Sequence, residues 1–339
     1  MSVFIIAEAG ANHDRNLDQA FELVKVAKSA GANAVKFQTY SSETLYAENT
    51  PDFAGYKNIN KLIKDIELPR EWQKDIKLFC DDIGIEFMST PFDEKAVEEL
   101  YDLGVQRFKI AGFESTDPRI VKCVASTQLP LIITAGIGSN INTINKIIEW
   151  ILQENSNPDI TFLHGNNAYP TPFRDINLGQ IKKLLDYQNV ESFFKSKFKV
   201  GLSDHTEGIL VPPLAVSMGA TVIEKHYTIS RSLEGPDHKF AIEPSELHQM
   251  VKDIRTTEVC LSEKLGELTS SEKNFSNARR SVVSKKDIAK GEILSKDNLT
   301  TMRPALKGSI PAMEFFNTFN KITTKPIKKG SVLFWEDIQ

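Results

Sequence analysis

Cysteine is scarce. The 339 residues hold three, Cys80, Cys123 and Cys260, far apart and odd in number, with no Cys-x-x-Cys pair. A disulfide framework and a cysteine-built zinc site are excluded on that pattern, and a reducing cytoplasm is the expected setting. No stretch approaches the run of about 18 apolar residues that a membrane-spanning helix needs. The opening "MSVFIIAEAGANHD" has no basic start and carries Glu8 early, so it reads as a first strand and not as a signal peptide. No nucleic-acid-binding motif is present, and aromatics are not interleaved with basic residues, so no nucleic acid is expected as a partner.

Strong net charge is also missing. The formal net charge is −4, but it is uneven. Residues 279–339 hold 12 Lys and Arg against 6 Asp and Glu, a net +6, which leaves 29 against 39, a net −10, for the remainder. A basic tail on an acidic body suits a self-partner or an anionic small molecule.

What the chain does have is a repeated alternation. Eight short β-type runs recur at 3–9, 34–40, 85–91, 107–112, 131–136, 160–165, 199–204 and 221–227. Helical periodicity fills the gaps, as in "LDQAFELVKVAKSAGA", which stops at a glycine, and "EKAVEELYDLG". The proline pair in "LVPPLAVSMGA" fits only the first turn of a helix. Eight such units over residues 1–265 predict a (β/α)8 TIM barrel, ahead of a doubly wound sheet. The stretch 41–68 reads as an enlarged loop after strand two, on the catalytic face. Residues 266–278 read as a linker. Residues 279–339, with "KKDIAKGEIL" echoed by "TKPIKKGSVLFWEDI", read as a small β-rich domain.

In such barrels the C-terminal strand ends carry the active site. Here those ends carry Glu8, Lys36 with Gln38, Ser89 with Thr90, Lys109, Thr134, Asn166 with Asn167, Ser203 with His205, and Glu224 with His226. Residues i and i+2 of a strand share a face, which makes Lys36/Gln38, Ser203/His205 and Glu224/His226 same-face pairs. Charge pointing into a barrel needs a ligand or a partner. His205 and His226 end neighbouring strands. The spacing alone suits a divalent-metal pair and two hydrogen-bonded structural histidines equally well.

Seven motifs, in order, carry a resemblance: "IIAEAGANHD", "VKFQT", "FMSTPF", "NAYPTPFRDINL", "GLSDHT", "IEKHYT" and "EGPDHK". They resemble the sialic acid synthases, a group that includes N-acetylneuraminate, legionaminate and pseudaminate synthases. The tail, with "KDIAKGE" and "MRP", is similar to their antifreeze-like SAF domain. The resemblance implies a cytoplasmic transferase that condenses phosphoenolpyruvate with the open-chain form of an N-acylated hexose. The acceptor would be N-acetylmannosamine or a diacetamido trideoxyhexose, and the products a nine-carbon 2-keto acid and phosphate. It implies a divalent cation, Mn²⁺ foremost with Mg²⁺ or Co²⁺ as alternatives, on His205 and His226, and a homodimer in which one SAF domain covers the partner's site.

On that resemblance Glu8, Lys36, Lys109 and Glu224 are the catalytic candidates, and Lys36, Lys109, Thr134 and Ser203 hold phosphoenolpyruvate. Gln38, Glu114, Asn167, Tyr169, Asp237 and Arg303 contact the sugar. His13 is expected to support Glu8, and His238 is left without a role. Bland readings stand beside these: a packed loop aromatic for Tyr169, a turn-stabilising carboxylate for Asp237, a local backbone bond for Thr134 or Ser203. Gly112 stands where the family usually has serine, Thr134-Ala135 where Ser-Thr is usual, and Gly165-Asn166 where Cys and Thr are common. "AGFES" and "QTYSSETL" resemble the pseudaminic branch, "EGPDHK" the sialic and legionaminic branches. Two other readings remain: a barrel enzyme acting on a sugar phosphate, and an inactive carbohydrate-binding protein.

Overall fold

The computed structural model describes residues 2–52, 57–190, 198–261 and 266–339. The chain forms two compact units, Met1–Ser262 and Glu263–Gln339. The expected boundary at 265 falls on residues 262–265, outside the described set, as do residues 53–56 of the loop at 41–68.

The first unit is an eight-stranded, all-parallel sheet in the order β3-β2-β1-β8-β7-β6-β5-β4. The strands are β1 (Phe4–Glu8), β2 (Ala34–Thr39), β3 (Glu86–Pro91), β4 (Phe108–Ile110), β5 (Leu131–Thr134), β6 (Ile160–Gly165), β7 (Phe198–Asp204) and β8 (Val222–His226). Each lies inside, or within one residue of, a predicted run. β3 and β4 lie side by side, so the sheet curls into a near-closed TIM-like barrel. Helices α1 (Leu17–Ala30), α2 (Ile59–Ile66), α3 (Trp72–Ile83), α4 (Glu94–Leu103) and α5 (Pro118–Ser126) follow the first strands. α6 (Ile141–Glu154), α7 (Gly179–Val190), α8 (Val211–Ser217) and α9 (Pro244–Cys260) complete the ring. α1 stops where predicted, at Gly31 with φ +87°, a left-handed turn that glycine adopts without strain. The proline pair sits in the first turn of α8. No helix among the described residues is long and apolar enough to cross a membrane.

Strand alternation divides the barrel cleanly. Ile5, Ala7, Val35, Phe37, Phe108 and Ile110 face outward into the core shared with the helices. Ile6, Ala34, Met88, Ile132, Leu163 and Val222 face inward and close the barrel floor. Two residues further along the same strands come Glu8, Lys36, Thr90, Thr134, Gly165 and Glu224. The pleat alone therefore places a polar layer directly above an apolar plug. The floor is tight. A Cβ on Gly201 would sit 2.3 Å from the Val222 carbonyl oxygen and 2.6 Å from Leu163 Cδ2. Because backbone blocks the first contact, Gly201→Ala is expected to destabilise the barrel by about 3 kcal/mol, read as a lower midpoint in chemical denaturation.

The second unit pairs β9 (Ser281–Ser284) with β10 (Leu299–Met302) antiparallel, and isolated bridges add short irregular strands. Its core gathers Val282, Ile288, Leu294, Leu299, Ile310, Ile327, Leu333 and Ile338. Within the expected linker, Lys273–Ala278 form a 3-10 helix.

Candidate active site

The polar layer is a network of buried charge. Lys109 donates to both Glu224 oxygens, at 2.8 and 3.0 Å. Lys36 pairs with Glu8 at 2.9 Å, donates to Thr90 Oγ1 at 3.0 Å, and lies 3.7 Å from Glu224. Ser203 Oγ donates to Glu224 at 2.9 Å, and Gln38 Nε2 donates to Glu8 at 2.7 Å. All four charged side chains are under 5% exposed. Register explains the convergence: Glu8 sits opposite Lys36 across β1–β2, and Ser203 opposite Glu224 across β7–β8.

Burial would neutralise these groups, and the partners decide which resist. Burial opposes the charge on Glu224, but Lys109 and Lys36 outweigh it and hold the carboxyl well below its usual range. Glu8 yields to burial: even with Lys36 beside it, it is pushed up to about 7. Burial pulls Lys36 down, yet Glu224 and Glu8 leave it above its ordinary value. For Lys109 burial wins and the amine is lowered. Lys36 is held protonated by Glu224 and Glu8, and Glu8 is pushed up to about 7, so the cluster presents a cation and amine donors to an anion. A lysine ammonium has three donors, and Lys109 commits two of them to Glu224. The buried Thr134 hydroxyl has no hydrogen-bond partner among the described residues.

Above this layer stand two imidazoles. His205 Nδ1 lies 2.6 Å from the Asn166 carbonyl, which only accepts, so Nδ1 carries the proton and Nε2 keeps its lone pair. His226 Nδ1 is buried without a hydrogen-bond partner, 3.8 Å from Asp237 Oδ2. Burial holds His205 down to about 4 and His226 well below the usual histidine value, so both are neutral at pH 7. Their ring centroids are 5.5 Å apart. Among the described residues no cluster of three or more His, Cys, Asp or Glu could hold a metal ion. The residues nevertheless fit a divalent cation. They supply two neutral imidazoles, one of which, His226, has a buried ring nitrogen without a hydrogen-bond partner. Tyr169 packs 4.2 Å from the His205 ring, and Phe240 packs 5.1 Å from that of His226.

Most expected site residues meet here. Glu8, Lys36, Gln38, Lys109, Thr134, Asn167, Tyr169, Ser203, His205, Glu224 and His226 line one small cleft. Asp237 lines a chamber of about 450 Å³ that opens from it. Glu114 lines neither, and burial pushes its carboxyl up to about 7. Arg303 is exposed on the second unit. His13 accepts from the Arg15 amide at 3.0 Å. His238 joins Thr228 Oγ1, at 2.6 Å, to the Asp14 carboxylate, at 2.9 Å, and so ties the loop after β8 to the loop after β1. Glu224 lies among lysines, bound to neither imidazole. At Gly112 a Cβ would come within 2.9 Å of Asn167 Nδ2, so the Asn167 amide takes the space a serine there would use.

The sequence places Thr90 with Ser89 at a strand end without a role, and Phe92 and Phe240 are not assigned from it. For Thr90 the signal was present, since it follows Met88 by two on β3. Phe92 and Phe240 belong to loops, where no periodicity marks a face.

The model of the NeuB family matches residues 23–265, and that of the SAF domain matches residues 279–339. An N,N'-diacetyllegionaminic acid synthase of Legionella pneumophila is 38% identical, over 100% of this chain and 95% of its own. A pseudaminic acid synthase of Campylobacter jejuni is 37% identical, over 99% and 97%. A crystal structure of the N-acetylneuraminic acid synthetase of Leptospira borgpetersenii aligns with a TM-score of 0.71 at 32% identity, over 81% of this chain and 90% of that one. The chain belongs to the NeuB family and carries a SAF domain over residues 279–339.

Proposed function

We propose that the protein condenses phosphoenolpyruvate with the open-chain aldehyde of an N-acylated hexose, giving a nine-carbon 2-keto sugar acid and phosphate. The observation that carries this reading is the buried Lys36–Lys109–Glu224–Glu8 cluster beneath two neutral imidazoles at the barrel mouth. The names of the relatives point the same way. The enol carbon attacks the aldehyde carbon and forms the new C–C bond, the aldehyde oxygen takes up a proton, water adds at C2, and phosphate leaves. Lys36, Lys109 and the hydroxyls of Thr134 and Ser203 hold the anionic phosphoenolpyruvate and stabilise its charge throughout. Glu8, pushed up to about 7, is suited to hold or pass a proton near neutral pH. A divalent cation on His205 and His226, Mn²⁺ foremost, would polarise the aldehyde oxygen as a Lewis acid.

The lining of the chamber supports one acceptor over the other. Its wall is largely apolar, with Leu45, Ile59, Leu62, Ile66, Phe92 and Phe240 prominent, and its polar groups include Gln38, Asn167 and Asp237. Such a wall suits the methyl and second acylamino group of a diacetamido trideoxyhexose better than the hydroxylated tail of N-acetylmannosamine. Phosphate release with Mn²⁺ would be measured with each sugar and with none. The trideoxyhexose is expected to exceed N-acetylmannosamine in kcat/KM by about 10–200-fold. Preference for N-acetylmannosamine would overturn the acceptor assignment alone. No release with any sugar in folded, metal-supplied protein would move the reading to a sugar phosphate acceptor or to a binding protein.

The homodimer implied by the resemblance makes Arg303 of one protomer part of the partner's site. Arg303→Ala and His205→Ala proteins, each inactive, are then expected to recover activity when mixed and allowed to exchange subunits. No recovery after confirmed exchange would count against a shared site.

A further inference from the structure

One face of β7 and β8 builds the site. The other face carries a second ion pair that the chemistry does not use. Asp204 lies between Ser203 and His205, and Lys225 between Glu224 and His226. Strand alternation turns both toward the helices, where each is about 1% exposed. Lys225 Nζ meets Asp204 Oδ2 at 2.7 Å. The other Asp204 oxygen accepts from the Thr206 amide at 3.0 Å and from the Thr206 hydroxyl at 2.8 Å. Lys225 also donates to the Thr206 carbonyl.

The place of this knot in the ladder matters. Asp204–Lys225 is the last register pair given by β7 and β8. His205 follows on the free end of β7, yet both its chain neighbours, Asp204 and Thr206, are tied to Lys225. Lys225 in turn directly precedes His226. The His205 carbonyl accepts from the Thr171 amide at 2.8 Å, and Thr171 bridges Thr206, so the segment following Tyr169 is held by the same anchor. A buried ion pair is a poor way to gain stability, because an apolar pair of similar volume is often as stable or more so. A pair of metal-ligating rings, by contrast, tolerates displacement of only a few tenths of an ångström.

We propose that Asp204, Lys225 and Thr206 are positioning residues that set the separation of the two imidazoles and thereby their affinity for a divalent cation. The proposal rests on the reading that His205 and His226 share that cation. The knot holds the backbone on both sides of His205 against the residue beside His226, so the two rings move as one body.

The test is a titration of chelator-stripped full-length protein with Mn²⁺, followed by the electron paramagnetic resonance signal of the free ion. Asp204→Leu with Lys225→Met replaces the pair by apolar side chains. It is expected to lower the thermal midpoint, because the buried Thr206 amide and hydroxyl lose their acceptor, while the folded variant binds Mn²⁺ about 10–100-fold more weakly. Thr206→Val keeps the ion pair and removes one hydroxyl, and a smaller weakening in the same direction is expected. If the double variant does not fold, Thr206→Val decides alone. Unchanged Mn²⁺ affinity in a folded variant would overturn the proposal. His226→Ala serves as the reference for a lost ligand. If the unchanged protein binds Mn²⁺ no better than His226→Ala, the metal reading itself fails, and the positioning role falls with it.

Discussion

Lys109→Met is expected to lower phosphate release by at least about 10²–10³-fold, the usual effect of removing one preorganised donor from a charged transition state. The same exchange is expected to destabilise the barrel by about 3 kcal/mol, the lower end for breaking a buried ion pair. The lower end applies because Glu224 keeps two neighbours, Ser203 at 2.9 Å and Lys36 at 3.7 Å. Glu224 would otherwise stand as a buried carboxylate whose strongest partner, holding both oxygens, has gone. A second variant separates the two effects. Lys109→Met with Glu224→Leu removes the pair whole, so most of the lost stability is expected to return in urea unfolding while turnover stays lost. Recovery of activity along with stability would show that the cluster serves the fold and not the reaction.

The second large effect is expected at His226. His226→Ala should reduce turnover by about 10³-fold, since Lewis-acid polarisation of an aldehyde is worth several kcal/mol. Stability should change little by comparison. The Nδ1 atom of His226 has no hydrogen-bond partner, so its removal leaves no bonded group orphaned. The loss is ring packing against Tyr169, His205 and Phe240. A chelator should silence the unchanged protein, and Mn²⁺ should restore it without rescuing the variant. Full activity in chelator, or full activity of folded His226→Ala, would sink the metal reading.

Much of this molecule is legible from local pattern. Alternation at every second residue marks which side chains of a strand share a face, and that rule needs no knowledge of the rest of the chain. It placed Lys36 with Gln38 and Glu224 with His226, and eight such runs separated by helical periodicity were enough for the barrel. The ordered motifs sufficed for the family. Distances between faces are another matter. Lys109 and Glu224 are 115 residues apart, and no spacing rule states that one ammonium sits between both oxygens of that carboxylate. Nor could pattern separate Glu114, which lines neither the cleft nor the chamber, from Asn167, which lines both. Asp204 and Lys225 are 21 residues apart, and only the ladder between β7 and β8 brings the outward pair together. The apolar chamber depends on α2, a helix inside what the sequence presents as a long loop, folding beside Tyr40 and Phe92. Periodicity encodes which way a residue points, whereas closure of the sheet decides what it meets. Partner choice, burial and the resulting protonation states therefore belong to the tertiary structure, because each depends on strands and loops that are remote in the chain and adjacent only after the barrel has formed.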